Sequence, residues 1–335
     1  MVMSTKIGFL SFGHWQNVQG SQVRTGADAL LQSIELAVAA EDLGVDGAYV
    51  RVHHFARQLA SPFPLLAAMG ARTKTIELGT GVIDMRYENP LSMAEDAAVA
   101  DLLGGGRLQL GISRGSPEPA WRGAEAFGYS LDTEQVHEKT ALFLAAIDGG
   151  GVVRTDAGGV PGNATLAVQP QAPGLRERIW WGSGSRETAP WVAEQGMNLM
   201  SSTLLTEDTG VPFDELQAEQ IAIYREAYAA AGHEHEPRVS VSRSILPLID
   251  DETRHYFGLR AQADSKDQVG WLDGGNARFG RSYIGEPDVI AAELAQDAAV
   301  QAADTVLVTV PNQLGVEFNA RILGSIARDI RPSFG

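Results

Sequence analysis

Short apolar runs alternate with longer amphipathic stretches along most of this chain. The first run, residues 7–12, ends at Gly13 as a buried strand should, and residues 28–44 then place Leu30, Ile34 and Val38 on one helical face. This unit recurs, and strands are predicted at 7–12, 47–52, 76–83, 108–113, 178–181, 197–201, 239–249 and 305–310. Helices are predicted at 28–44, 64–73, 90–103, a stretch ending at 147, from about 186, 213–231, 287–299 and a final stretch containing Ile322, Leu323, Ile326 and Ile330.

Eight strands alternating with helices favour a closed parallel (β/α)8 barrel, the TIM-barrel fold, over a doubly wound open sheet. One barrel commonly uses a chain of 335 residues, so residues 1–335 are predicted to form a single domain. Two segments interrupt the alternation. Residues 149–177, after strand four, are rich in glycine and proline and predict an insertion hairpin. Residues 250–282, after strand seven, predict either a lid over the active face or a disordered excursion.

Composition narrows the classes of function. The chain has 42 acidic and 26 basic residues, a net charge of -16, which disfavours nucleic acid or an anionic membrane as a partner. No stretch approaches the roughly 18 unbroken apolar residues of a membrane span, so we expect a cytoplasmic protein. The absence of cysteine excludes disulfides, thiolate nucleophiles and cysteine-ligated metals. Redox chemistry would therefore need a bound organic cofactor or a metal held by other ligands.

Two adjacent histidines, His53 and His54, stand where strand two should end. In a barrel of this kind the carboxyl ends of the strands carry the active site. Because neighbouring strand residues point to opposite faces, only one of the two can point into the barrel. This geometry argues against a two-histidine metal site, and no metal is predicted. A catalytic histidine and a packing or hydrogen-bonded histidine remain alternatives.

Small residues and one arginine follow the next strands. Strand three ends in GTGVID, where Thr80, Gly81 and Val82 could let a flat ring approach the backbone. Strand four ends at Ser113 and Arg114. An arginine beside small residues suits a phosphate, because its guanidinium donates in a planar fork. A surface salt bridge is the alternative for Arg114.

Strand five runs into GSGSRET, which predicts an anion site. Gly182 and Gly184 clear space there, and Ser185 is placed as the N-cap of the next helix, whose free N–H groups attract anions. The segment lacks the third glycine and the later acidic residue of a dinucleotide-binding motif. A Rossmann site is therefore rejected.

Taken in order, these motifs resemble one family. VHHF after strand two, LGTGVI at strand three, NPLSMAEDAAVADLLGGGRLQLGISRGSP across strand four and GSGSRETA after strand five are similar to the luciferase-like flavin-dependent monooxygenases. The likeness runs from about Lys6 to the closing NQLGVEFNARIL, nearly the whole chain. Each motif alone is unspecific, and their shared order and spacing carry the resemblance.

The resemblance implies a cofactor and its contacts. Reduced FMN would lie at the carboxyl ends of the strands, with its ring against strand three, where the family's non-prolyl cis peptide matches Gly81-Val82. His53 matches the active-site histidine, and His54 is its neighbour. The family's phosphate contacts carry over to Arg114, Gly184, Ser185 and Thr188.

The resemblance also implies a reaction and partners. Reduced FMN, supplied by a separate flavin reductase, would act with O2 on a small organic substrate, and helices 64–73 and 90–103 would pair two copies into a homodimer. Ser113 stands where bacterial luciferase has a reactive cysteine, a departure that weakens any inference of light emission. The alternatives are an F420-dependent oxidoreductase that transfers hydride and a non-catalytic flavin-binding protein.

Overall fold

A computed structural model of the chain describes residues 5–115, 122–128, 133–155, 164–207, 209–272 and 275–334. The strands are β1 (Lys6–Ser11), β2 (Gly47–Val50), β3 (Glu77–Thr80), β4 (Ile83–Asp84), β5 (Leu108–Ser113), β6 (Val153–Arg154), β7 (Thr165–Leu166), β8 (Ile179–Ser183), β9 (Asn198–Ser201), β10 (Leu204–Leu205), β11 (Val239–Pro247), β12 (Gln268–Leu272), β13 (Gly275–Phe279), β14 (Ser282–Gly285) and β15 (Thr305–Val310). The α-helices are α1 (Gly26–Asp42), α2 (Pro62–Arg72), α3 (Pro90–Leu103), α4 (Gly123–Ala126), α5 (Thr133–Ile147), α6 (Ala189–Glu194), α7 (Phe213–Ala231), α8 (Asp251–Phe257), α9 (Arg260–Ala263), α10 (Pro287–Leu294), α11 (Ala298–Ala302) and α12 (Gly315–Ser325).

Eight of these strands close into a parallel barrel in the order β1, β2, β3, β5, β8, β9, β11 and β15. The ring closes because β15 pairs with β1 from Lys6↔Thr305 to Ser11↔Val310, and because β11 pairs with both β9 and β15. Helices connect successive strands and pack on the outside of the ring. The predicted (β/α)8 barrel is confirmed.

Several element boundaries differ from the sequence prediction. Strand three is not continuous, since β3 ends at Thr80 and the chain resumes as β4. The single helix predicted at 287–299 is two helices, because the Asp297 side chain accepts from the Val300 N–H and starts α11 afresh. The helix predicted from 64 begins at Pro62, a residue whose fixed φ suits the first helical position.

The two interrupting segments contain regular structure. In the first, β6 and β7 pair antiparallel, while residues 156–163 of the predicted hairpin lie outside the described residues. The second holds α8, α9 and a β12–β13 hairpin whose β13 also pairs with β10. The segment ends at β14, which lies parallel to β11. Its role as a lid stays a prediction. Within the described part of the chain no helix has the length and apolar character needed to cross a membrane.

Side chains fill the barrel toward the amino ends of its strands and leave it open toward the carboxyl ends. Leu10, Tyr49, Trp180, Met200 and Leu307 point inward and form one cluster. Alternate residues of the same strands, such as Phe9 and Val308, point outward and pack with the helices in a second, larger core. Near the carboxyl ends several strands present small residues, such as Gly81, Gly182 and Ser242, which leaves room for a site there.

A substitution at Gly111 tests how closely β5 packs against the end of β3. A Cβ at Gly111 would overlap the carbonyl oxygen of Thr80, a backbone atom with little freedom to move. We expect Gly111→Ala to lower the free energy of unfolding in urea by about 1–3 kcal/mol, the usual cost of overpacking. Gly26→Ala is the control, because its Cβ would lie 3.8 Å from the nearest neighbouring atom. Equal stability of the two variants would contradict this expectation.

Candidate active site

A cavity of about 980 Å³ opens at the carboxyl ends of the barrel strands. Leu10 and Met200, from the inward-facing cluster, lie at its base. The neighbouring strands and the turns after them supply its walls. The cavity therefore occupies the face where barrels of this kind carry their chemistry.

Most of the predicted site residues line this cavity. They are His53, Gly81, Val82, Ser113, Arg114, Gly182, Gly184, Ser185 and Thr188. His54 and Thr80 do not line the cavity. His54 stacks on Tyr87, with ring centroids 4.1 Å apart. Thr80 is fully buried, and its hydroxyl donates to the Gly111 carbonyl at 2.8 Å. The two histidines thus face different surroundings, although β2 ends at Val50 and both lie in the loop beyond it, where strand alternation does not apply. The catalytic and cofactor-binding roles of all these residues stay predictions.

The break in strand three forms a ledge on the cavity wall. The peptide bond between Gly81 and Val82 is cis, as the resemblance implies. Gly182, on β8, lies opposite, and a Cβ there would come within 2.9 Å of the Val82 side chain. Glycine at 182 therefore lets Val82 occupy the cavity wall, which is a more specific role than clearing space for a ligand.

His53 lies in the loop after β2, near Arg51 and His14. Its side chain is 8% exposed, and its backbone N–H donates to the Leu59 carbonyl at 2.9 Å. Arg51 also lines the cavity and lies over the Phe12 ring at 4.6 Å. Burial, and then the charges of Arg51 and His53, lower the pKa of His14. The sequence pattern did not single out Arg51, although its i, i+2 spacing from His53 places both on one face of an extended segment.

The turn after β8 gathers three hydroxyl groups at one end of the cavity. The Thr188 Oγ1 lies 2.7 Å from the Ser183 Oγ and 2.9 Å from the Ser185 Oγ. We call residues 183–188 the hydroxyl turn. The prediction that Ser185 caps the next helix is wrong, because α6 begins at Ala189 with Thr188 in the N-cap position. The extra turn of loop satisfies the Ser185 side chain locally, so any anion site here consists of hydroxyl and backbone groups of the turn.

Charged residues surround the hydroxyl turn. Arg186 donates to Glu207 at 2.8 Å and also pairs with Glu219. Glu187 lines the same end of the cavity. Arg114 is exposed at the end of β5, and within the described residues it has no carboxylate partner. The Arg114 guanidinium is therefore the better candidate for a ligand's negative charge.

An aromatic wall completes the cavity. Trp181 and Trp191 line it, and His137 of α5 stacks on Trp191 with ring centroids 4.4 Å apart. Trp180 points the other way, into the barrel, where its indole N–H donates to Gln109 at 2.9 Å. Sequence motifs could not identify His137 or Trp191, since each lies on a helix whose facing depends on packing.

Comparisons with known proteins agree on one family. The sequence model of the family described as luciferase-like monooxygenase matches residues 7–303. The alkanal monooxygenase alpha chain of Photobacterium leiognathi is 30% identical over 204 residues, covering 60% of this chain and 54% of that protein. The chain spans a little more than half the length of the curated relatives it matches first.

Two solved structures share the fold. One is the oxygenating constituent of 3,6-diketocamphane monooxygenase from Pseudomonas putida in complex with FMN, with a TM-score of 0.72, 15% identity and coverage of 99% of each chain. The other is the coenzyme F420 dependent tetrahydromethanopterin reductase of Methanopyrus kandleri, with a TM-score of 0.66, 14% identity and coverage of 99% of this chain and 100% of that one. At these identities the likeness shows the fold alone.

Glu88 makes the stability of this region depend on pH. Glu88 lies one helical turn after Asp84, which lines the cavity. Burial, together with the like charges of Asp96 and Asp84, raises the pKa of Glu88 to about 7. The folded protein then holds this proton more strongly than the unfolded chain. The resulting stability is full below the ordinary pKa of 4.5 and is lost as pH rises through about 7.

We expect Glu88→Gln to remove this pH dependence. The midpoint of thermal unfolding of the variant, relative to that of the natural chain, should be higher at pH 8 than at pH 5. Glu35→Gln, on the exposed face of α1, serves as the control and should show the same difference at both pH values. A constant difference for Glu88→Gln as well would contradict the assignment.

Proposed function

The chain belongs to the luciferase-like monooxygenase family, and we propose that it is a flavin-dependent monooxygenase that uses reduced FMN and O2 to oxidise a small organic substrate. One observation carries the proposal. A single cavity joins the Gly81-Val82 ledge to the hydroxyl turn and Arg114. An apolar ledge beside a polar, cationic end is the arrangement that a flat ring with a phosphorylated chain requires.

The residues present fit FMN. The hydroxyls of Ser185 and Thr188 and the Arg114 guanidinium would hold its phosphate, because charge-assisted hydrogen bonds are the strong ones. Val82, Leu10 and Met200 offer an apolar surface to the ring and exclude water beneath it. When bound, the reduced flavin supplies the electrons for O2 activation, which the protein's own side chains cannot provide.

His53 is the proposed proton-handling residue of this site. It is nearly buried at the cavity edge, where an imidazole can donate to or accept from a substrate oxygen. His54 supports it from the other face through the stack on Tyr87. We infer that His53 contacts the substrate and that His54 positions the loop that carries it.

Charge at the cavity end favours FMN over the deazaflavin F420, the alternative cofactor. The F420 side chain ends in several carboxylates, whereas FMN ends in one phosphate. Glu187 and Glu207 stand at the hydroxyl turn, and Glu207 already occupies Arg186. Glu187 has no ion-pair partner among the described residues, so each further carboxylate of a ligand would add to the repulsion there. This end of the cavity is therefore better matched to a short, singly phosphorylated chain.

Oxygen uptake tests the function. Substrate-free uptake that requires the chain and occurs with reduced FMN, but not with reduced F420, is expected. Uptake with neither cofactor, combined with hydride transfer from reduced F420 to an acceptor, would overturn the proposal in favour of the alternative. Tight FMN binding with no uptake and no product across a substrate screen would instead support a non-catalytic flavin-binding protein.

A separate flavin reductase is the proposed source of reduced FMN. The Pseudomonas putida structure is named as an oxygenating constituent, which describes one part of a larger system. In such a system the cavity would receive FMN already reduced and would return it oxidised.

Arg114→Gln should weaken FMN binding about 10- to 100-fold and leave riboflavin binding unchanged, because riboflavin lacks the phosphate. Fluorescence titration of both ligands measures this. Arg328→Gln, at an exposed arginine that does not line the cavity, is the matched control and should change neither affinity. A variant that binds FMN as tightly as the natural chain would count against the phosphate assignment.

We also propose a homodimer through α2 and α3. Val99, Leu102 and Leu103 are 43%, 48% and 60% exposed on α3, an apolar surface that a second copy would cover. A Leu102→Glu and Leu103→Glu double variant should therefore shift the mass in light scattering from dimer to monomer. Leu166→Glu, an equally exposed leucine in the β6–β7 hairpin, should leave the mass unchanged. A monomer mass for the natural chain would refute the dimer.

A further inference from the structure

A line of buried polar side chains runs between the barrel wall and α7, in a layer that elsewhere is apolar. It begins at Asp297, which accepts two hydrogen bonds from Arg243, at 2.7 and 2.8 Å, and one from the Tyr283 hydroxyl at 2.6 Å. It continues through Gln217, Ser201 and Gln220 to Ser183, where it meets the hydroxyl turn. Gln217, Gln220 and Ser201 are 0% exposed. We call this set, from Asp297 to Ser183, the polar relay.

Arg243 and two backbone carbonyls fix the direction of the hydrogen bonds in the relay, because the Gln217 nitrogen also donates to the Ser202 carbonyl and the Gln220 nitrogen to the Ser185 carbonyl. A guanidinium can only donate, so the Gln217 amide turns its oxygen to Arg243, at 2.7 Å, and its nitrogen to the Ser201 Oγ, at 2.9 Å. Ser201 has one hydrogen, which it gives to the Gln220 Oε1 at 2.6 Å. The Gln220 Nε2 is then left to donate to the Ser183 Oγ at 3.0 Å.

The hydrogen bonds of Gln220 reach the hydroxyl groups at the cavity. Gln220 donates both to the Ser183 Oγ and to the Ser185 carbonyl, at 3.0 and 2.7 Å, and so ties the two ends of the 183–185 segment to α7. The Ser183 hydroxyl lies 2.9 Å from the Ser185 carbonyl and 2.7 Å from the Thr188 hydroxyl. Thr188 and Ser185 share one hydrogen bond at 2.9 Å, so the hydroxyl that does not donate in that bond has its hydrogen for an acceptor in the cavity.

We propose that Gln217 and Gln220 are positioning residues of the hydroxyl turn: joined through Ser201 and anchored on Arg243, they hold the Ser183 hydroxyl and the Ser185 carbonyl in place and so fix where the Thr188 and Ser185 hydroxyls meet a bound phosphate. The inference rests on the proposed function, which places a phosphate there. It explains why two amides are fully buried on a helix face that apolar side chains could fill without the cost of desolvation.

Gln217→Glu tests the relay without changing the size of the side chain. A carboxylate accepts only, so it would take hydrogen bonds from both Arg243 and Ser201 and would lose the bond that the Gln217 nitrogen gives to the Ser202 carbonyl. Ser201 would then no longer donate to Gln220, and the Gln220 amide would be held through its nitrogen alone. The hydroxyl turn would lose its fixed position, and one hydrogen bond to the phosphate would be lost with it.

The measurement is the ratio of riboflavin Kd to FMN Kd, determined by fluorescence titration of the full chain. Gln217→Glu should lower this ratio about tenfold, the loss of one hydrogen bond to a charged group, while the riboflavin Kd stays the same. The matched control is Gln109→Glu. Gln109 is also buried, but its Oε1 only accepts, from Trp180 and Arg238 at the other end of the barrel, so a glutamate there keeps both bonds. Its ratio should equal that of the natural chain.

Ser201→Ala is the second variant, and it interrupts the relay without adding charge. The Gln217 amide nitrogen keeps the Ser202 carbonyl at 2.8 Å, so this variant decides the question if Gln217→Glu does not fold. Its ratio should also fall. An unchanged ratio in the folded variants, or equal losses for FMN and riboflavin, overturns the inference and leaves the proposed function standing. A natural chain that binds neither ligand overturns the proposed function itself.

Discussion

Tyr49 occupies the centre of the barrel at a level where the neighbouring strands present glycine. Its ring lies where side chains at Gly47 and Gly79 would otherwise be, and burial raises the pKa of its hydroxyl well above the usual value, so the group stays neutral beside Glu77. Below it, Glu77 and Arg238 pair at 3.0 Å and close the amino end of the barrel. Side chains therefore fill the interior from the amino end of the barrel to the level of Tyr49. Toward the carboxyl ends most strands present small residues, and the cavity occupies the space that these leave beside Arg51, Leu10 and Met200.

Glycines also shape the cavity wall. Because Gly111 and Gly182 have no side chains, the Thr80 carbonyl and the Val82 side chain of the interrupted third strand can pack against them, and Val82 lies on the wall. A ring-sized ligand would thus meet an apolar ledge with an apolar base beneath it. The polar groups are confined to one end, which orients a ligand that has one flat part and one charged part.

Beneath that polar end, the side chains of the Arg243–Asp297 pair are 2% and 1% exposed. Burial alone would raise the pKa of Asp297, but Arg243 and the Tyr283 hydroxyl outweigh it and hold that pKa below its usual range. Breaking such a pair would leave an uncompensated charge, so the pair is a fixed reference point in the outer core. The polar relay links this fixed point to the hydroxyl turn, and Tyr283 links it to β14 at the end of the 250–282 segment.

The sequence by itself determined the features that depend on local pattern. Strand periodicity gave the eight-stranded barrel, and motifs such as GTGVID and GSGSRET identified the ends of strands three and five, because each is read from residues that are adjacent in the chain. The different surroundings of His53 and His54 do not come from strand alternation, because β2 ends at Val50 and both histidines lie in the loop after it. Tertiary structure decided the rest: the start of α6 at Ala189, the aromatic wall of His137 and Trp191, and the contact of Gln217 and Gln220 with Ser201 and Ser183. These contacts join residues far apart in sequence, and only the closure of the barrel fixes which face of each helix meets which strand.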